Sequence, residues 1–174
     1  MKSKVFTAPD YDKSSNHVEN YMFRLRPENA PFRVFLAGTI DNGESLDWQS
    51  AVAEDLMSQS TKQPIFVYNP RREKWPDGSD HDEITKQIKW ELHHLEKADL
   101  IVMNILPKSK SPISLMELGL FAKEGKVIVF CQPSFYRYDN VRVVCETYGI
   151  KLIDTNDILV IRNEILKHVI SDGV

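Results

Sequence analysis

Two glutamates carry the chemistry that this sequence offers. Glu117 lies in the stretch SPISLMELGLFAKEGK, which begins at Ser111. An ionised carboxylate facing a pocket is a covalent nucleophile of the kind used in glycosyl chemistry. Glu91 lies on an earlier helical segment. At about 100° per residue, Ile84, Ile88, Leu92 and Leu95 share one stripe, with Glu91 near its centre and Gln87 and His94 beside it. A carboxylate in an apolar stripe costs free energy unless it is paired or protonated. A raised pKa would suit proton transfer to a leaving group. Both residues also have a structural reading. Glu91 can reach solvent from the stripe edge. Ser114 and Glu117 form an S-x-x-E capping box, in which the serine caps a helix and the glutamate reaches back to its N–H. Spacing alone does not choose between these readings.

The elements that must position these residues alternate along the chain. Val34 to Gly38 is an apolar run with a tight glycine exit, followed by a helix over 45–59 with Trp48, Val52 and Leu56 at helical spacing. Further strands are expected at 65–68, 100–103, 127–130 and 151–153. Helices are expected at 81–97, 114–124 (ended by Gly125), 138–148 and 155–170. Five continuously apolar strands alternating with helices predict an α/β fold: a doubly wound parallel sheet with helices on both faces. Residues 1–30 read as an N-terminal extension, with a short strand over Lys4–Thr7 as a candidate within it, and residues 31–174 as the domain. Ligands of open parallel sheets bind outside the carboxyl ends of the strands. The loops 38–48, 68–80, 104–117 and 131–140 are therefore the ones to search. In that setting Glu117 follows the strand 100–103 at the ligand edge, and a helix N-terminus favours its ionised form.

Bulk properties narrow the partners. The chain has 174 residues, 42% hydrophobic and 27% charged, with a formal net charge of -3. That is one ordinary domain with no basic face for a nucleic-acid backbone, so a small polar metabolite is the expected partner. No apolar run is long enough to span a bilayer, and Cys131 and Cys145 have neither disulfide-framework nor metal-pair spacing. The expectation is a cytoplasmic protein with reduced thiols. Asp80-His81-Asp82-Glu83 is metal-like in composition but reads as a solvated helix start, so no metal and no other cofactor is assigned.

Four segments in order carry a resemblance: VFLAGTIDNGESLDWQ from Val34, VYNPRREKW from Val67, QIKWELHHLEKADLIV from Gln87 and SLMELGLFAKEGKVIVF from Ser114. Together they resemble the nucleoside 2-deoxyribosyltransferase-like family, especially its bacterial and phage-borne branch, over about residues 33–150. The resemblance implies a flavodoxin-like sheet. It implies that Glu117 is the nucleophile forming a glycosyl-enzyme, that Glu91 handles the base and its proton, and that Asn140 corresponds to an asparagine donated across a subunit interface. The chain departs from the family at two places. Phe35 stands where the family has a tyrosine, and Ser111 where other members have an aspartate six residues before the nucleophile.

The remaining candidates take their meaning from this setting. Trp48 can stack a base or pack in the core, and Gln49 can hydrogen-bond a base. Gly38 and Asp41, on the first loop, and Asn69, Gln87, Ser111 and Ser114 complete the expected substrate-binding set. Arg71 and Arg72 suit bidentate phosphate contacts, or surface ion pairs with Glu73 or Asp77. Lys108, Ser109 and Lys110 read as a loop tip or as an attractor for a substrate phosphate. Three functions follow: transfer of a deoxyribosyl group between bases, N-glycosidic hydrolysis of a nucleoside 5′-monophosphate, or nucleotide binding without turnover. A homo-oligomer, dimer or higher, is expected.

Overall fold

The computed structural model describes residues 2–8, 30–75 and 80–171. Most of the expected N-terminal extension lies outside the described residues, as does Asp77.

The strands are β1 (Lys4–Thr7), β2 (Phe32–Gly38), β3 (Ile65–Asn69), β4 (Leu100–Ile105), β5 (Val127–Cys131) and β6 (Lys151–Ile153). The helices are α1 (Trp48–Ser58), α2 (His81–Lys97), α3 (Pro112–Phe121), α4 (Tyr138–Tyr148) and α5 (Ile158–Ser171). All neighbours pair in parallel, in the order β1-β3-β2-β4-β5-β6. The sheet has six strands rather than the expected five, because β1 adds to the free edge of β3, with Val5 opposite Val67. Without β1, the order is that of a flavodoxin-like sheet, whose switch point lies between its first and third strands, here β2 and β4.

The two faces have separate cores. Trp48, Val52 and Leu56 of α1 pack with Ile161 and Ile165 of α5 against Val34, Leu36, Val67 and Val102. On the other face Trp90 and Leu95 of α2, Leu118 and Phe121 of α3, and Val141 and Cys145 of α4 cover Phe35, Tyr68, Ile101 and Val129. Alternate residues of each central strand feed opposite cores, which is why those strands read as unbroken apolar runs. Both cysteines are buried free thiols. Among the described residues, no helix is long and apolar enough to cross a membrane.

Local signals set most helix starts. Asp47 caps α1 by accepting from the Ser50 N–H, and Asp80 caps α2 by accepting from the Glu83 N–H. Helix α3 departs from expectation. It starts at Pro112 rather than 114, and ends at Phe121 rather than 124. Proline at the first helical position has no N–H to leave orphaned. The residue before it, Ser111, is left-handed (φ 44°) and makes no side-chain cap.

Candidate active site

The shift of α3 changes what Glu117 does. Glu117 lies in the second turn, so it cannot close a capping box with Ser114; that structural reading falls. It also leaves the positive helix end. Glu117 is 6% exposed, and burial, followed by the charge of Glu91, pushes its pKa up to about 8. The expected ionised form is therefore not the resting one at neutral pH.

Glu91 reaches the same region from α2. Both helices rest on β2. The buried face of α2 is Gln87, Trp90, His94 and Leu95, whereas Ile88 and Leu92 of the expected stripe are 48% and 38% exposed. Aromatic packing turns the helix this way. The His94 ring stacks on Tyr68 with centroids 4.1 Å apart and meets Trp90 at 4.4 Å, and Trp90 packs against Phe35. Burial, more than the nearby His93 and Lys97, pushes the His94 pKa down to about 3, so this histidine is neutral and no acid at ordinary pH. Glu91 lies at the edge of that face. Gln87 Nε2 donates to Glu91 Oε1 (2.7 Å) and to the Pro70 carbonyl (2.9 Å), tying Glu91 to the exit of β3. Desolvation raises the Glu91 pKa against the lowering pull of Gln87 and Arg72.

A second cluster lies at the switch point between β2 and β4. The hydroxyls of Thr39, Ser109 and Ser111 are mutually bonded, at 3.0, 2.6 and 2.7 Å, and all three residues are buried. Thr39 Oγ1 also accepts from the Leu106 N–H, and Ser109 donates to the Leu106 carbonyl. Thr39 and Ser109 of the cluster line a cleft of about 700 Å³ together with Asp41, Glu44, Ser45, Leu46, Lys108 and Lys110. Among the described residues, the non-glycine positions with left-handed φ are Asp41, Asn42 and Ser111. Strain of this kind tends to gather at functional edges. Ser111, just before α3, and Ser114 and Glu117 on it follow at three-residue spacing, and each is at most 6% exposed.

The other expected residues separate into groups. Gly38 has φ 127°, and a Cβ there would overlap the backbone oxygen of Asn104; it lets β2 close on β4. Trp48 is fully buried in the core of the opposite face, with its indole N–H donating to the Thr39 carbonyl. Gln49 donates to the same carbonyl, and its Oε1 has no partner among the described residues. Asn69 Oδ1 accepts from the Arg71 N–H. The Arg71 guanidinium bonds the carbonyls of Gly43 and Ser45 at 2.6 and 2.7 Å and pairs with Asp47 at 3.5 Å. It clamps the first loop. Arg72 pairs with Glu83 at 3.3 Å, a partner other than the expected Glu73; the other expected partner, Asp77, lies outside the described residues. Asn140 is exposed in a groove between α3 and α4, beside Gly119, Tyr136 and Arg137. Thr39 is the member of the hydroxyl cluster that sequence reasoning did not single out, and Ser109 entered it only as part of the basic run Lys108 to Lys110. The available signal was a threonine directly after the β2 glycine, facing a K-S-K-S run after β4.

A family model described as nucleoside 2-deoxyribosyltransferase like matches residues 31–135. The chain belongs to the nucleoside 2-deoxyribosyltransferase-like family. The matched span contains both glutamates, the hydroxyl cluster and both arginines; of the expected site residues, Asn140 alone lies beyond it. Among solved structures, a conserved protein of Enterococcus faecalis V583 has the same fold, with a TM-score of 0.54 at 12% identity over 82% of this chain and 99% of that one. The 2-deoxyribosyltransferase of the psychrotolerant bacterium Bacillus psychrosaccharolyticus is 25% identical, with a TM-score of 0.44 over 56% of this chain and 71% of that one. No curated protein matches the chain significantly.

Proposed function

We propose that the protein cleaves the N-glycosidic bond of a 2-deoxyribonucleoside through a glycosyl-Glu117 intermediate and passes the deoxyribosyl group to another base. The observation that carries this reading is the pair of desolvated carboxylates, Glu117 on α3 and Glu91 on α2, close enough for the charge of one to raise the pKa of the other. Around neutral pH such a pair holds a proton between its members. Positive charge developing at C1′ favours the ionised form of Glu117 and leaves the proton on Glu91, beside the departing base. Glu117 then bonds to C1′ as the C1′–N bond breaks. The base takes its proton from Glu91, and the carboxylate left on Glu91 activates the acceptor base. Two displacements at C1′ retain configuration. Incubation with a deoxynucleoside and a second base, followed by chromatography, is expected to show base exchange. No exchange and no free base would rule the reading out.

In the same reading, residues 31–174 form the catalytic domain of a cytoplasmic homo-oligomer. The exposed Ile88, Leu92, Ile113, Met116 and Leu120 on α2 and α3 support assembly, and Asn140 is exposed for use by a neighbouring copy.

The hydroxyl cluster favours a second reading, in which the substrate is a nucleoside 5′-monophosphate and water accepts the sugar. Thr39 and Ser109, with Ser111 bonded to both, line the cleft together with Lys108 and Lys110, a set that suits a phosphate. Arg71 is committed to the first loop, which removes one of the two arginines otherwise suited to the phosphate. An aspartate in place of Ser111 would repel the phosphate. Ser111→Asp is therefore expected to shift the ratio of monophosphate to nucleoside turnover at least about tenfold towards the nucleoside. Equal turnover with and without the 5′-phosphate in the parent protein would exclude this reading.

A further inference from the structure

We propose that Arg72, Gln87 and Glu91 form the base-reading edge of the site and select a 2,4-dioxopyrimidine, uracil or thymine, as the leaving base. The inference rests on the glycosyl-transfer reading above and adds to it the class of base.

Glu83, Gln87 and Glu91 recur every four residues on α2, so they line one side of the helix, about 6 Å apart along its axis. Arg72 lies against the first of them, with Nη2 3.3 Å from Glu83 Oε2. Its other terminal nitrogen, Nη1, is buried without a hydrogen-bond partner among the described residues. So is Gln87 Oε1. The amide of Gln87 is fixed, because its nitrogen already serves the Pro70 carbonyl and Glu91 Oε1, leaving the oxygen to face something else. Buried polar atoms left unpaired are costly, and a ligand edge is one way of satisfying them. Both orphans belong to the strip that ends at the carboxyl group assigned to the departing base.

The strip offers a donor at Arg72, an acceptor at Gln87 and, with its proton on, a donor at Glu91. The complement is acceptor, donor, acceptor. That is the edge of uracil and thymine: O4, N3–H and O2. Cytosine presents an amino group to Arg72 and a bare N3 to the Gln87 oxygen, two mismatches. Adenine presents an amino group beside a bare ring nitrogen, and fails at the same two places. Desolvation of Glu91 acts in the same direction, since it favours the protonated carboxyl.

The match also serves departure of the base. A carboxylate oxygen of Glu117 forms its bond to C1′ as the C1′–N1 bond breaks. The electron pair passes into the pyrimidine ring and onto O2, and the proton on Glu91 moves to O2. The released base returns to its N1–H tautomer in water.

The test compares kcat/KM for deoxyuridine, deoxycytidine and 3-methyldeoxyuridine, each as nucleoside and 5′-monophosphate, with 4-nitrophenyl 2-deoxyriboside as a substrate that has no base edge. Deoxyuridine is expected to exceed deoxycytidine and the 3-methyl compound by about 10²-fold, since a site built on hydrogen bonds rejects ligands that leave it unpaired. Arg72→Met is expected to bring deoxyuridine down towards deoxycytidine, and Arg72→Lys to restore part of the preference. Equal turnover of the three nucleosides, with the nitrophenyl substrate active, would overturn the base assignment and leave the glycosyl-transfer reading intact. No turnover of any substrate would overturn both. The 3-methyl comparison uses the unaltered protein, so it stands even if the Arg72 variants fold poorly.

Discussion

Glu117→Gln is expected to lower turnover by roughly three to five orders of magnitude and, at the same time, to make the protein more stable at pH 8. The activity loss follows from removing the group that bonds to C1′. The stability gain follows from burial. The Glu117 pKa rises from 4.5 to about 8 on folding. Below pH 4.5 the folded and unfolded chains both hold the proton, and the residue leaves stability unchanged. Above pH 4.5 the unfolded chain ionises while the folded chain keeps its proton, so stability falls with each pH unit and levels off near pH 8. The accumulated loss is about 3–5 kcal/mol. Glutamine keeps the shape and cannot ionise, so it should recover at least about 2 kcal/mol at pH 8, and each kcal/mol raises Tm by roughly 2–4 °C in a chain of this size. Thermal melts of the parent and Glu117→Gln proteins between pH 5 and 8 would check this. The parent should lose stability across that range and the variant much less. Parallel curves would show that Glu117 is not a buried, high-pKa group. The same shift predicts that kcat/KM falls as the pH rises past about 8, where the pair loses the proton that Glu91 gives to the leaving base.

Gly38→Ala is expected to cost about 3–5 kcal/mol and to yield largely unfolded protein. At φ 127° a side chain is strained whatever the space around it, and here there is none. An added Cβ would overlap the Asn104 carbonyl oxygen and stand 2.7 Å from its nitrogen and 2.8 Å from its carbonyl carbon. All three are backbone atoms of β4, which cannot swing aside as a side chain can. The site would suffer with the fold. Thr39 follows Gly38, its N–H donates to the Asn104 carbonyl, and its hydroxyl joins Ser109 and Ser111 to Leu106. Urea titration of the purified variant measures the loss. A midpoint like that of the parent would mean that β2 and β4 do not approach this closely.

The central strands were legible because each feeds two cores, and no surface face interrupts its apolar run. β1 was harder to place, since four residues with one exposed flank acquire meaning only from pairing with β3. The face of α2 was misjudged for a definite reason. Aliphatic spacing pointed to Ile88 and Leu92, but stacking of His94 on Tyr68, with Trp90 edge-on to His94, outweighs it, and aromatic partners on a distant strand do not show in helical periodicity. The start of α3 was hidden in the same way. Ser114 looks like a cap in the local sequence, whereas the helix begins after Ser111 is drawn into its left-handed conformation beside Thr39. Of the site, Glu117 and Glu91 were readable as carboxylates in a fitting order. The commitment of Arg71 to Gly43 and Ser45 was not, because nothing local distinguishes an arginine that clamps a loop from one that awaits a ligand.

The central claim is that Glu117 bonds covalently to the sugar. Intact-mass spectrometry of the protein, quenched in acid after brief exposure to a deoxynucleoside without acceptor base, tests it most directly. The account predicts a species heavier by one deoxyribosyl unit, with the added mass on the peptide carrying Glu117, absent from Glu117→Gln and discharged by added base. An active parent protein with no such adduct, or an adduct mapped to another residue, would contradict it.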